Sequence, residues 1–456
     1  MIVMKFGGTS VESAAAIERV AAIVKARRER RPVVVVSAMG KTTNHLLAIA
    51  AKSAAGQREE AIKLAVELRD FHLREARPVV LDADWPQVER AIQDHFQEIA
   101  ELARALAVVG EITPRMIDAI SSYGERISSI IITHAFRRAG MDAVHVDARR
   151  VVVTDNRHTQ AAPKFAESYS LLAATIAPLA QGHVVVMGGF IASTESGVTT
   201  TLGRGGSDFT AAIVGAGIGA EEIEIWTDVD GMLTGDPRVI EGVRRVKTIS
   251  FGEAAELAYF GAKVLHPSTV LPAVEKNIPV LILNSRRPEV EGTRIVAEAV
   301  PCANAIKSIA CKRNIALVNI TSTRMLMAHG FLHRIFEVFD RFETPVDMVA
   351  TSEVSVSLTI DNTVRLKEIT TELEDFADVH VEQNQAIVCL VGDNIRSTAG
   401  VAARIFRALS EVNIGMISQG ASLLNFGFVV SEADLTRSVA ALHDEFFAEV
   451  DPAVFD

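Results

Sequence analysis

Six short apolar runs recur through residues 1 to about 300: "IVMKF", "PVVVVS", "DAVHV", "HVVVMGG", "EIEIW" and "IPVLIL". Runs this short and this uniformly apolar read as strands buried on both faces, the signature of a parallel sheet. Between them the spacing turns helical. Ile17, Val20, Ala21 and Val24 fall at i, i+3, i+4 and i+7, one face of a helix. Buried strands alternating with amphipathic helices predict an α/β fold with three layers, helices on both faces of the sheet. Residues 58 to 108 interrupt the rhythm with no strand signal. Ala61, Leu64, Ala65 and Leu68 mark one helix there, and Ile92, Phe96, Ile99, Ala103 and Leu106 another. This stretch reads as a helical insertion inside the α/β domain.

The C-terminal third repeats itself. With a shift of 70, "GFLHRIF" (330–336) lies over "GVAARIF" (400–406), matching Gly, Arg, Ile and Phe at 330/400, 334/404, 335/405 and 336/406. Val354, Val356, Leu358 and Ile360 then lie over Leu424, Phe426, Phe428 and Val430, alternating as strands do. Each copy reads strand, helix, two strands, helix, strand, the ferredoxin-like βαββαβ plan. Two such copies are expected to share one sheet.

A chain of 456 residues, 49% apolar, can bury one large core and one or two small ones. Its net charge of −11 argues against a nucleic-acid surface, which needs clustered Lys and Arg. Small anionic ligands stay open, because local fields decide their binding. Cys302, Cys311 and Cys389 have neither metal-site nor CxxC spacing and read as reduced thiols. No uncharged apolar run reaches membrane-spanning length, and the N-terminus enters a strand without a signal-peptide pattern. A soluble, cytoplasmic protein is expected.

Three glycine-bordered stretches carry the candidate chemistry. In "KFGGTS", Lys5 ends a strand ahead of Gly7 and Gly8, whereas a P-loop lysine follows its glycines. Thr9 and Glu12 have capping-box spacing, which predicts a helix start whose free N–H groups would hold an anion within reach of Lys5. An ordinary strand-turn-helix with a solvated lysine fits this stretch too. In "TTLGRGGSDFTAA", Gly203, Gly205 and Gly206 surround Arg204, and Ser207-Asp208 leads into a helix, an arrangement suited to a charged substrate. In "EIEIWTDVDGMLTGDPR", Thr227 and Asp228 sit at a strand tip, where parallel sheets bind ligands, although DG, TG and DP are turn formers in any case. "GAGIGA" (215–220) fits a dinucleotide fingerprint, but it continues a helix and meets a strand at once, so these glycines read as a helix end. "GAKVLHP" places Lys263 beside a helix-stopping proline, and "SSYGERISS" places Glu125 on a helix; each is weak alone.

In this order, "MKFGGTSVES", "VVVVSAMGKTTN", "YGERIS", "VDARRVVVTD", "GGFIAST", "TTLGRGGSDFTAA", "IWTDVDGMLTGDPR" and "FGAKVLHPSTV" resemble the aspartokinases of the amino acid kinase superfamily over nearly the whole chain. The repeats resemble that family's paired ACT modules. The resemblance implies a catalytic domain over 1–300, a first ACT module over 316–385 and a second over 386–456, with a strand from about 305–312 interleaved into the second. It implies transfer of a phosphoryl group from MgATP to the β-carboxylate of L-aspartate, giving 4-phospho-L-aspartate. It also implies Mg2+ carried with ATP, no resident metal, and a homodimer joined through the ACT modules.

Carried over by residue, Lys5 resembles the lysine bridging the ATP phosphates and the transferred group, with Gly7, Gly8 and Ser37 as donors near the phosphates. Thr43 and Glu125 resemble the pair holding aspartate, Glu125 facing its ammonium. Arg204 resembles the clamp on its α-carboxylate. Ser207 lies beside the substrate and Asp208 orients the lysines. Thr227, Asp228, Arg238 and Lys263 resemble nucleotide contacts. A carboxylate nucleophile is already ionised at neutral pH, so this chemistry needs positioning and charge neutralisation rather than a general base.

The effector loop of the first module would comprise Met325, Ala328, Gly330, Phe331, Leu332, Asp347, Ser352 and Glu353. Two departures stand out. "MLMAHGFL" puts Ala328 and His329 where many members carry a small polar residue before the glycine. "ASLLNFGFVV" replaces a Ser-Glu-Ile-Asn-like run in the second module. Both remove side chains that could hold an amino acid, so weak or altered feedback is expected. The chain ends soon after the second module, from which a monofunctional enzyme is expected. A kinase for another acidic amino acid, and a non-catalytic amino-acid sensor on the same fold, are the rival readings.

Overall fold

The computed structural model describes residues 1–261, 267–298, 301–322 and 329–456. The chain divides into two compact units, Met1–Gly231 with Val264–Glu298 and Met232–Lys263 with Ala299–Asp456.

The main sheet of the first unit is ordered Ala143–His145, Val184–Gly188, Pro32–Val36, Ile2–Phe6, Glu222–Thr227, Val280–Asn284 and Thr293–Val296, and a small separate sheet is formed by Val153–Thr154, Ile191–Thr194 and Thr199–Thr201. In the main sheet the first six, the apolar runs of the sequence, pair in parallel, and the last pairs antiparallel to Val280–Asn284. Residues alternate between faces along each strand. Ile2, Met4, Phe6, Val34 and Val36 therefore share one core with Ile17, Val20 and Val24 of the helix Ala14–Ala26. The insertion forms the helices Arg58–Ala76 and Trp85–Val109, which bury Ala61, Ala65 and Leu68 on one and Ile92, Phe96 and Ile99 on the other. "GAGIGA" closes the helix Gly206–Ile218, with Gly219 as its left-handed cap.

The helix after Lys5 starts later than the Thr9–Glu12 spacing predicts. Gly8–Ser10 is a single 3-10 turn, and the α-helix begins at Ala14, capped by Ser13, whose side chain accepts from the Ala16 N–H. Three more residues of irregular backbone are used while the chain curves through the glycine turn. The Glu12 carboxylate lies 3.6 Å from the Arg286 guanidinium.

The second unit holds an antiparallel six-stranded sheet ordered Val349–Thr351, Ser355–Ile360, Ser308–Thr321, Asp378–Val391, Asn425–Ser431 and Met416–Ser418. Its two central strands have 14 residues each. One half of Ser308–Thr321 pairs with the far half of Asp378–Val391, Ser308 opposite Val391 and Thr321 opposite Asp378. The ladder shifts register between Lys312 and Leu317. There Asn314 is left-handed at φ 57°, and 70 residues on Asn384 is left-handed at φ 57°. Gly330 (φ 80°) and Gly400 (φ 87°) keep the same offset at the starts of the helices Phe331–Arg341 and Val401–Ala408. The internal repeat thus extends to the backbone conformations that only Gly and Asn adopt readily.

Within this unit the helix Phe251–Tyr259 is held by a capping box of Ser250 and Glu253. Glu253 also meets Lys307 at 2.9 Å, both side chains fully buried. No helix among the described residues is long and apolar enough to cross a membrane.

Candidate active site

Lys5 stands opposite Val35 and Ile225 in the parallel sheet. Its neighbours Met4 and Phe6 point into the helical core, so the pleat turns Lys5 to the other face. There its Nζ lies 2.7 Å from Oδ1 of Asp208, in the first turn of the helix Gly206–Ile218. The strand end is tied down by backbone bonds: the Gly7 N–H donates to the Trp226 carbonyl (3.1 Å), Ser37 to Phe6 (3.1 Å) and Gly40 to Gly8 (3.0 Å). A Cβ on Gly8 would stand 3.0 Å from the carbonyl oxygens of both Ala38 and Gly40. That crowding fixes glycine here.

Gly203 (φ 75°) and Gly205 (φ 70°) are left-handed, and Gly205 caps the helix without a side-chain bond. The Gly206 N–H turns back to the Gly203 carbonyl at 3.0 Å, which leaves the Ser207 and Asp208 N–H groups for a ligand, and the helix dipole adds a partial positive charge. Arg204 is exposed between these two glycines. Ser207 is pressed from below: a Cβ on Gly189 would lie 2.7 Å from its Cα and Cβ.

Glu125 lies on the helix Tyr123–Arg138, only 4% exposed. Its Oε1 accepts the Ala38 N–H at 3.1 Å, while the buried Oε2 has no hydrogen-bond partner among the described residues. Loss of solvation pushes its carboxyl up to about 8. An unmatched carboxylate oxygen of this kind is a site for a cationic ligand group.

Lys5, Gly8, Ser37, Thr43, Glu125, Ser207 and Asp208 line one cleft of about 380 Å³ together with Gly203 and Gly205, whereas the exposed Arg204 between those two glycines is outside the lining. Gly7 lies at the edge, its imagined Cβ 3.7 Å from Lys5 Nζ. Thr227 and Asp228 sit at the carboxyl end of the strand next to Lys5, outside the lining, with the Thr227 hydroxyl 3.3 Å from the Asp228 carboxylate. Arg238 belongs to the second unit and is held by Asp236 at 2.7 Å. Lys263 lies outside the described residues. The cleft also takes in Lys41, Asn44 and Phe190, which the sequence reading did not single out. The signal for Lys41 was there: Gly40-Lys41-Thr42 opens the helix Thr42–Ala54, a lysine after a glycine at a helix start. Phe190 gave none; it is a left-handed non-glycine (φ 65°), held through its N–H by the Thr210 hydroxyl at 2.9 Å.

Of the candidate effector residues, Met325 and Ala328 lie outside the described residues. Gly330 caps the helix Phe331–Arg341, Phe331 is buried, and Leu332 is 40% exposed. Ser352 bonds Ser355 hydroxyl to hydroxyl at 2.6 Å, and Glu353 is exposed. Asp347 is half engaged: Lys312 Nζ lies 2.7 Å from its Oδ1 and 2.7 Å from Asp361, while its buried Oδ2 has no hydrogen-bond partner among the described residues. In the second copy, Ser422 and Asn425 of "ASLLNFGFVV" donate to the two carboxylate oxygens of Glu256 at 2.7 and 2.6 Å.

Residues 1–284 match the model of the amino acid kinase family, and 388–446 match an ACT domain. The lysine-sensitive aspartokinase 3 of Escherichia coli (strain K12) is 37% identical over 456 residues, covering 98% of this chain and 99% of that protein. Aspartokinase 1, chloroplastic, of Arabidopsis thaliana is 37% identical over 474 residues, covering 98% of this chain and 80% of that protein. Among solved structures, E. coli aspartokinase III in complex with aspartate and ADP (R-state) superposes with a TM-score of 0.84 at 36% identity, covering 98% of this chain and 100% of that one. The same enzyme with lysine and aspartate (T-state) gives 0.85 at 36% identity, with 98% and 99% covered. A strand-end lysine meeting a glycine-capped helix, the family match over the first 284 residues and full-length similarity at this level lead to one conclusion: the chain belongs to the aspartokinases, in the amino acid kinase family.

Proposed function

We propose that the cleft between Lys5 and the glycine loop at 203–206 is where this ATP-dependent aspartate kinase joins its two substrates. MgATP brings the phosphoryl group, with Mg2+ entering as part of the nucleotide. The β-carboxylate of L-aspartate attacks the γ-phosphorus, the bond to the bridging oxygen breaks, and ADP and 4-phospho-L-aspartate leave. Lys5, with Asp208 setting its direction, neutralises charge between donor and acceptor. Gly8, the Ser37 hydroxyl and the Ser207 and Asp208 N–H groups at the start of the helix Gly206–Ile218 supply donors to the phosphates, while Gly7, whose N–H is taken by the Trp226 carbonyl, leaves room for their close approach. Glu125 takes the ammonium of aspartate, Arg204 its α-carboxylate, and Thr43 and Ser207 flank it. Thr227, Asp228, Arg238 and Lys263 serve the nucleotide.

One observation carries this reading. A shielded lysine–aspartate pair and a buried glutamate with one unmatched oxygen line the same cleft, one suited to a phosphoryl group and the other to an ammonium. The test is turnover of ATP with L-aspartate and hydroxylamine, which traps the acyl phosphate as a hydroxamate. Hydroxamate with aspartate but not with glutamate or acetylglutamate is expected; no hydroxamate with any of them would mark a sensor instead. The ACT region regulates this activity. We read the chain as a homodimer through that region, supported by Phe336 and Phe406, equivalent in the repeat and 39% and 41% exposed. A monomer by light scattering at assay concentration rejects the dimer.

A further inference from the structure

We propose that Asp118 is a positioning residue for aspartate, setting the distance between Glu125 and the Arg204 loop; this rests on the reading of those two residues as the substrate clamp. Asp118 lies on the helix Pro114–Ser121 and is completely buried. The next helix, Tyr123–Arg138, carries Glu125. Its carboxylate collects donors from two other segments. The Thr201 hydroxyl donates to Oδ1 at 2.5 Å, the Thr159 N–H reaches both oxygens at 3.0 and 3.1 Å, and His158 Nδ1 lies 2.6 Å from Oδ2.

Both segments bear on the glycine loop. Thr201 ends the strand Thr199–Thr201, two residues before Gly203. Thr159 is itself left-handed at φ 73°, a strained conformation for a β-branched residue. Its carbonyl oxygen would stand 3.1 Å from a Cβ on Gly203, so this turn abuts the first glycine of the loop. The two segments are also joined to each other, the Ala161 N–H donating to the Thr201 carbonyl at 3.0 Å.

A buried carboxylate is costly unless its lone pairs are matched, and here each oxygen is matched by donors from the loop's supports. An apolar residue could fill the same volume, but it could not bind a hydroxyl, an amide and an imidazole at once. What the carboxylate adds is a fixed placement of the loop bearing Arg204 relative to the helix pair bearing Glu125. The two ends of aspartate are then held at a set separation. A displacement of about 1 Å between positioning groups can cost about 100-fold in rate.

The test compares Asp118→Asn, Thr201→Val and Thr201→Ser in the full chain, by hydroxamate kinetics with each substrate varied. Asp118→Asn and Thr201→Val are expected to raise KM for aspartate about 10- to 100-fold while KM for ATP moves less than about twofold. Thr201→Ser, which keeps the hydroxyl, is expected to stay near the parent. Unchanged KM for aspartate, parallel loss toward ATP, or equal effects of Val and Ser at 201 each overturn the proposal. If Asp118→Asn does not fold, the Val–Ser comparison decides. Arg204→Ala is measured alongside. An unchanged KM for aspartate there rejects the clamp itself, whereas a raised KM there with a normal Thr201→Val rejects only the role of Asp118.

Discussion

Lys5 Nζ lies 2.7 Å from Asp208 Oδ1, the lysine from the centre of the sheet and the aspartate from the first turn of the helix above it. The two side chains are 11% and 15% exposed, so the pair is shielded from bulk water but open to the cleft. Such a pair holds the ammonium in one direction while the free N–H groups of the helix supply the remaining positive field.

Removing the ammonium tests its share of the catalysis. Lys5→Ala is expected to lower kcat by about 100- to 1,000-fold, roughly 3 kcal/mol, the cost of losing one preorganised donor to developing charge. Asp208→Asn should cost less, because the lysine stays but loses its direction. Steady-state kinetics measures both, and near-normal turnover by Lys5→Ala rejects the assignment.

Glu125 predicts a pH dependence of substrate affinity. Burial raises its carboxyl to about 8, so in the free protein it is largely protonated at neutral pH. An incoming ammonium needs the carboxylate. KM for aspartate should therefore fall as pH rises from about 6.5 toward 8.5, and aspartate binding near pH 7 should release a proton. The sign for stability is opposite. The folded form holds a proton that the unfolded form has lost, so the contribution is present below the ordinary glutamate range and fades as pH climbs toward 8. Calorimetry in buffers of different ionisation heat detects the proton, and its persistence in Glu125→Gln would falsify the assignment.

Gly189→Ala should damage the aspartate side while leaving the fold standing. Its Cβ would stand 2.7 Å from the Cα and Cβ of Ser207, whereas one on Gly182 meets nothing within 4 Å. A loss of kcat/KM for aspartate of about tenfold or more is expected for Gly189→Ala, against none for Gly182→Ala. Equal kinetics for the two variants rejects the packing argument.

The ion pair Lys307–Glu253 makes a prediction about stability. Both side chains are fully buried, so Lys307→Met strands a carboxylate and should cost about 3–5 kcal/mol. Adding Glu253→Gln should recover part of that loss by removing the stranded charge. Denaturant titration of the three proteins measures it. No recovery in the double variant points to lost packing instead.

Feedback is expected to be weak or altered. One oxygen of Asp347, a candidate effector contact, is already engaged by the chain's own Lys312 at 2.7 Å, which leaves only Oδ2 for an effector and places the Lys312 ammonium beside it. Free lysine at physiological levels should leave most activity, and Lys312→Met should raise sensitivity by opening that carboxylate. Strong inhibition of the parent by lysine in the kinase assay contradicts this.

Much of the architecture could be read ahead of the coordinates because its signals are local. The parallel strands announce themselves by uninterrupted apolar runs, and the paired modules by a 70-residue echo of Gly330, Arg334, Ile335 and Phe336. Capping was misread at Thr9 and Glu12 because correct spacing says nothing of where an irregular loop ends, and the helix waits for Ser13. Within the cleft, the charged residues beside glycines were legible. Phe190 was not, nor was the buried Asp118 outside it, since both are placed by contacts with Thr210, Thr201 and Thr159 that no sequence period encodes.

The two long strands Ser308–Thr321 and Asp378–Val391 each serve both copies of the repeat, kinked midway at Asn314 and Asn384. Neither copy can be excised intact, for cutting the chain between them strips a strand from its twin. No slack linker separates the copies: the backbone that forms a strand of one runs straight on as a strand of the other.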